Sequence, residues 1–345
     1  MKITKSEFGV TSAGRSVSLY HLENASGAYI EVLDFGARIH KLVVPNREGE
    51  LTDVCLSVAT LEDYEAERSY YGATCGRVAN RICDGRFTLN DTAYQLAINN
   101  GPNHLHGGIV GYSHKVWKSA VKDDKLVLTM ESPDGEENYP GNLTLTVTFS
   151  WSEDNEIGIL YEATCDRDTI INVTNHTYFN LNGEGANNIL SHELFIDADA
   201  ITPVNENLIP TGEFLPVDGT PFDFRTLHTI GKFIDVDYPQ LKDVGTYDHN
   251  FVINGTGLRE AAVLQSKDSG IRVTCFTDQP GIQIYVASTE SDFPGKYGER
   301  YPRYASVCLE TQHYPDSINH QNFPSVVLKA GEQFRSKTLY HFSNF

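Results

Sequence analysis

Along most of the chain, apolar and polar positions alternate one for one. Leu143, Leu145, Val147, Phe149 and Trp151 alternate with Thr144, Thr146, Thr148 and Ser150, which puts one set on each face of a strand. Past the turn Ser152–Glu156, the residues Ile157, Ile159 and Tyr161 resume the alternation, so 143–165 reads as a hairpin. The same period predicts strands over 16–23, 28–33, 125–130, 192–197, 261–265, 271–276, 282–287 and 305–311. Turn sequences separate them: Asn46-Arg47-Glu48-Gly49, Asp134-Gly135, Asn254-Gly255 and Asp268-Ser269-Gly270.

Helical signals are sparse. Thr60, followed three residues later by Asp63, has the form of a capping box and starts a short helix. The segment 226–233 reads as one more short turn. A long amphipathic helix and the strand–helix–strand rhythm of a parallel sheet are both missing. The expected fold is therefore all-β: a large antiparallel β-sandwich with few short helices, formed by one domain over residues 1–345. The loops 203–226 and 288–304 are expected to gather around one face.

A chain of 345 residues is long enough to bury a sizeable core without disulfides or a structural metal. Lys and Arg number 27 against 46 Asp and Glu, a formal charge of −19. That balance argues against nucleic acid and anionic membranes and favours a neutral or cationic small molecule. The cysteines at 55, 75, 83, 165, 275 and 308 form no C-x-x-C pair, so neither a disulfide framework nor a thiolate zinc site is expected. There is no apolar run of signal-peptide length near the start and none of the roughly 20 residues that span a membrane. The expectation is a cytoplasmic protein.

Five segments carry candidate chemistry. In Gly76-Arg77-Val78-Ala79-Asn80-Arg81-Ile82, Asn80 and Arg81 offer donors for hydroxyls or a carboxylate, or pin a loop. In Asn103-His104-Leu105-His106-Gly107-Gly108, two imidazoles two positions apart face one way on extended backbone. They suit half of a metal site or one functional imidazole held by glycines. His176 lies among Asn172, Thr174, Asn175, Thr177 and Tyr178, a polar cluster whose burial costs stability unless its members pair. Asp248 opens a strand, where a carboxylate can accept from a diol or simply close a turn. On 305–311 the alternation sets Val307 and Leu309 against Cys308 and Glu310. A carboxylate beside a typically buried cysteine has its pKa raised toward the range of a general base.

Taken together with the runs SPDGEENYPGNL, QPGIQIY and AGEQF, these segments stand in an order that resembles the aldose 1-epimerases, also called galactose mutarotases, over essentially the full length. The resemblance implies a β-sandwich with a sugar cleft on one face. It implies Glu310 as general base, His176 as general acid in its imidazolium form, and His106 as a helper that binds the sugar. It also implies that Asn80, Arg81, Asp248 and Gln283 hold the substrate. The partner is then a free monosaccharide and the chain a monomer or homodimer. No metal, nucleotide or redox cofactor is expected, since two proton transfers suffice. The sequence departs from the family pattern at Val286–Thr289 and at Asn138, where the family has glycine, and the loop 286–300 is expected to line the cleft. Three other activities use the same residues: a glycoside hydrolase with Glu310 and Asp248, a binding module without chemistry, and a metal hydrolase built on His104, His106 and His176.

Overall fold

A computed structural model describes residues 1–345. Strands dominate, as the alternation requires, and three large sheets form. A nine-stranded sheet runs in the order Lys118–Lys122, Lys125–Ser132, Leu143–Trp151, Glu156–Cys165, Gln333–Asn344, Ile271–Thr277, Arg259–Gln265, Glu193–Ile196 and His228–Thr229. A seven-stranded sheet runs Leu215–Pro216, Ala198–Thr202, Asp248–Ile253, Gly281–Val286, Val307–Gln312, Tyr178–Phe179 and Cys55–Leu56. A five-stranded meander precedes both, beginning at Lys2–Val10 and ending at Leu51–Asp53. Every named strand pair is antiparallel. The predicted hairpin pairs Leu143 with Cys165 and Trp151 with Ile157.

The inward face of each sheet feeds one core of 59 buried residues, with Leu145 and Val273 from the nine-stranded sheet, Phe251, Ile282 and Leu309 from the seven-stranded sheet, and Leu22 and Ile30 from the meander. This is a sandwich in which both faces of the seven-stranded sheet are covered. All six residues of Val307–Gln312 are buried. Val307 and Leu309 enter the main core, and the Thr311 hydroxyl meets that of Thr338 across the two sheets. The opposite side chains, Cys308 and Glu310, are equally buried, at 0% and 2% exposure. Alternation fixes which side chains share a face and is silent on what covers it.

The predicted short helix spans Leu61–Ala66, and the Thr60 hydroxyl accepts from the Asp63 backbone N–H at 3.1 Å. A second helix, Pro239–Val244, starts with proline and stops at Gly245, whose φ is 77°. Those two residues were its only signal, because six residues are too few to display a period. No helix is long and apolar enough to cross a membrane. Asn138 has φ 69°, a left-handed conformation that asparagine tolerates better than most residues, which accounts for its standing in place of glycine. The loop 286–300 departs from the expectation that it lines the cleft. Only Ser288 reaches the cleft, while Lys296 turns into the protein and pairs with Asp53 at 2.7 Å.

Candidate active site

The outward face of the seven-stranded sheet carries two rows of side chains. Asn250, Gln283 and Glu310 are register neighbours across three strands, as are Asp248, Tyr285 and Cys308. Two short pairings bring the remaining residues over this face. Thr74–Cys75 pairs with Thr174–Asn175, just before His176. Arg81–Ile82 pairs with His104–Leu105, just before His106. A cavity of about 300 Å³ lies between them, lined by Asn80, Arg81, His106, His176, Asp248 and Glu310, with Tyr70, Tyr178 and Tyr285 as aromatic walls.

His176 Nε2 sits 3.6 Å from Glu310 Oε1, with the two side chains 6% and 2% exposed. Burial pushes the Glu310 carboxyl well above its ordinary range; the Asp248 charge pushes the same way and Arg81 opposes. Burial lowers His176 to about 4, opposed by a hydrogen bond to its own backbone and then by Asp248. The imidazolium expected of His176 is therefore disfavoured by burial, since a low dielectric penalises the lone cation. Both shifts favour the uncharged forms, a protonated Glu310 and a neutral ring. Passing that proton to His176 gives a carboxylate and an imidazolium without changing the net charge of the pair.

His106 is placed by its backbone as much as by its sequence. Its φ is 47°, and its Nδ1 accepts from the Asn80 backbone N–H at 3.1 Å. The neutral ring therefore carries its proton on Nε2. His106, His176 and Glu310 lie within 4.8 Å of one another, a spacing a metal ion would accept. With Nδ1 occupied and Nε2 protonated, however, His106 has no free lone pair, and two ligands remain. His104 is not on this face. Its Nδ1 donates to the Ala97 carbonyl at 2.8 Å and its Nε2 accepts from the Tyr139 hydroxyl at 2.6 Å. The two histidines part because the strand ends at Leu105 and His106 turns left-handed.

Asp248 is held from two sides. Its Oδ1 accepts from Gln283 Nε2 at 2.7 Å and its Oδ2 lies 3.7 Å from Arg81 Nη1. Gln283 does not line the cavity and acts on Asp248 from behind. Arg81 is steadied by Asn100, whose Oδ1 accepts from Nε at 3.0 Å.

Tyr70 was missed by the sequence reading. Its ring lies 4.6 Å from that of His106 and 6.0 Å from that of His176, at a φ of 60°. Such strain in a tyrosine must be held from outside. Glu67 Oε2 accepts from the Tyr70 backbone N–H at 2.8 Å, and Glu67 Oε1 pairs with the fully buried Arg38 at 3.2 Å. Tyr285 could have been found, since alternation places it beside Gln283; no pattern in the sequence announces a left-handed Tyr70. Glu67→Gln leaves Arg38 buried and unpaired, and is expected to lower unfolding free energy in urea by about 3–5 kcal/mol and to raise KM as the Tyr70 turn relaxes.

Gly107 shows how closely the two covering segments approach. A Cβ there would lie 1.7 Å from the Gly76 carbonyl oxygen, and the backbone has φ 85°. Gly107→Ala is expected to cost about 2–4 kcal/mol in urea unfolding and to reduce turnover by shifting His106.

A family model described as aldose 1-epimerase matches residues 18–341. The galactose mutarotase of Sus scrofa is 40% identical over 346 residues, covering 99% of each chain. The aldose 1-epimerase of Escherichia coli K12 is 35% identical over 334 residues, covering 95% of this chain and 96% of its own. Among solved structures, a galactose 1-epimerase from Lactobacillus acidophilus superposes with a TM-score of 0.87 at 30% identity, covering 99% of both chains. An aldose epimerase homologue from C. elegans gives 0.86 at 29%, covering 95% of this chain and 99% of its own.

Proposed function

Since the chain belongs to the aldose 1-epimerase family, we propose that Glu310 and His176 carry the interconversion of α and β anomers, with galactose and glucose among the free aldoses used. The protein is an isomerase acting on monosaccharides. The Glu310 carboxylate takes the proton of the anomeric hydroxyl while the His176 imidazolium protonates the ring oxygen. The ring opens to the aldehyde, the carbonyl carbon turns about its bond to the next carbon, and closure on the other face exchanges the two protons in reverse. His106 Nε2–H donates to oxygen as charge develops there. Asn80, Arg81 and Asp248 hold the other hydroxyls, and Gln283 fixes Asp248. The two side chains account for both proton transfers, so the scheme calls on no cofactor.

The observation that carries this reading is the 3.6 Å approach of His176 Nε2 to Glu310 Oε1 at the wall of a cavity of about 300 Å³. A glycoside hydrolase would need Asp248 as a second carboxyl group acting with Glu310, whereas Asp248 accepts a hydrogen bond from Gln283 and faces Arg81. The test is polarimetry with freshly dissolved α-anomers of galactose, glucose, xylose and arabinose. Faster approach to the equilibrium rotation is expected, with no new reducing ends from aryl glycosides. An unchanged rate for all four sugars overturns the reading.

We also read the chain as one functional unit over residues 1–345, supported by the core that draws on all three large sheets. A cytoplasmic location is supported by six cysteines that are all free. Monomer and homodimer are both compatible with a cavity built from one chain.

A further inference from the structure

A polar patch lies sealed behind Glu310. Asn250, Gln283 and Glu310 are register neighbours on three strands. Gln312 follows Glu310 by two on the same face, opposite Gly281. All four side chains are buried, Gln312 completely. Asn250 Oδ1, Gln283 Oε1, Glu310 Oε2 and both polar atoms of the Gln312 amide meet no partner in the protein. We propose that this patch holds an internal water, which accepts from Gln312 Nε2 and donates to Gln283 Oε1 and Glu310 Oε2. Gln312 is then a positioning residue for the base, acting through the water without touching the sugar. The inference rests on the reading of Glu310 as the general base.

Counting donors against acceptors carries the assignment. The Asp248 carboxylate accepts only, so the 2.7 Å bond from Gln283 Nε2 fixes that amide and leaves its Oε1 free. Asn250 Nδ2 is directed at Thr202 Oγ1, 3.4 Å away. Of the unpartnered atoms in the patch, four are oxygens, and Gln312 Nε2 is the one nitrogen donor. The side chains therefore cannot satisfy one another, and buried polar groups left without partners are costly. A water gives two hydrogens and takes one, which is the usual three bonds of a buried water. The strand opposite makes room. A Cβ at Gly281 would run into Asn250 Oδ1 and come within 2.9 Å of the Tyr314 ring. Asn250 Oδ1 thus leans over Gly281, whose neighbour on the far side is Gln312, and Tyr314 closes the recess.

The two Glu310 oxygens have different surroundings. Oε1 faces His176 at 3.6 Å, while Oε2 is inaccessible from the cavity. The proton that passes to His176 Nε2 leaves from Oε1, so Oε2 is the carbonyl oxygen of the protonated acid and accepts from the water. As the proton leaves, charge spreads onto Oε2 and that hydrogen bond strengthens. The water therefore favours the carboxylate that takes the anomeric proton more than it favours the resting acid, which raises kcat and leaves sugar binding alone. Out of reach of the sugar, it serves as a fixed dipole and not as a reactant. Through Gln283 the same contact links the base to Asp248.

The test joins a crystal structure of the wild type, at a resolution that shows ordered water, to infrared spectroscopy at pH 7.5 and polarimetry. Density for a water about 3 Å from Glu310 Oε2, Gln283 Oε1 and Gln312 Nε2 is expected. Infrared difference spectra, each against its Glu310→Gln counterpart, isolate the C=O stretch of the Glu310 carboxyl. Gln312→Met nearly keeps the volume and removes the donor. In that variant the band is expected at higher wavenumber, with kcat down about three- to tenfold and KM within about twofold. A wild-type site without the water overturns the proposal, and so does Gln312→Met with the band unmoved, whatever its kcat, since a merely structural role lowers the rate and spares the band. If Gln312→Met does not fold, the wild-type density decides. Glu310→Gln at the wild-type rate would instead remove the reading of Glu310 as the base, while the density and the band report the water independently.

Discussion

Glu310→Gln is expected to slow anomer interconversion by at least about 10³-fold, within the 10²–10⁴ range of a positioned general base, and to leave the fold as stable or more so. The amide fills the same volume on Val307–Gln312 but takes no proton from the anomeric hydroxyl. His176 loses its proton source in the same step, because the imidazolium arises by transfer from Glu310. KM is expected to change little, since Arg81, Asn80 and Asp248 remain at the cavity wall. Stability moves the other way. A fully buried carboxyl whose Oε2 has no protein partner resists ionisation and must be protonated or desolvated on folding, and a neutral amide avoids that cost. Polarimetry with α-galactose and urea unfolding read the two effects separately. A variant within tenfold of the wild-type rate would remove Glu310 as the base.

The contrast between Glu310 and His104 shows what the sequence can and cannot specify. Period two in the pattern correctly put Cys308 and Glu310 together opposite Val307 and Leu309, because strand geometry leaves only two faces. The same rule applied to His104 and His106 failed, because the strand ends between them and His106 takes a φ of 47°. A left-handed residue reverses the direction of the next side chain, and a histidine at that position looks like any other. Tyr70 was hidden for the same reason, and its support comes from Arg38 and Glu67, 32 and 3 positions earlier in the chain. The resting protonation state of His176 was not legible, because it depends on burial from several segments at once. Gln283, implied by the resemblance to hold the sugar, lies on the outward face but hydrogen-bonds Asp248 and does not line the cavity. What was legible was local: strand faces, turns and one helix cap. What was not legible was how the covering segments stack on the sheet.

Acid is expected to unfold the protein cooperatively well above pH 4, and histidines rather than surface carboxylates set the window. Burial lowers His114, His176, His192, His249 and His313 to about 4. It also holds His40 and His106 well below 6.5 and lowers His104. An unfolded chain protonates these rings near pH 6.5, and the native fold refuses the protons of the first five until about pH 4. Over that interval the unfolded state binds more protons, so stability rises with pH and is lost as pH falls. Each such ring contributes a slope of about 1.4 kcal/mol per pH unit, against a total stability of about 5–15 kcal/mol for a typical fold. Glu310, Asp34, Glu184 and Asp316 have raised values and act with the opposite sign, since the native state holds their protons and stability falls as pH rises through their titration. Four groups against eight leave the histidine slope dominant. Far-UV circular dichroism between pH 7.5 and 3.5, with urea midpoints at each pH, measures it. A native spectrum and an unchanged urea midpoint at pH 4.5 would show that these rings are already charged in the fold, and with them the neutral His176 on which the proton arrangement of the cavity depends.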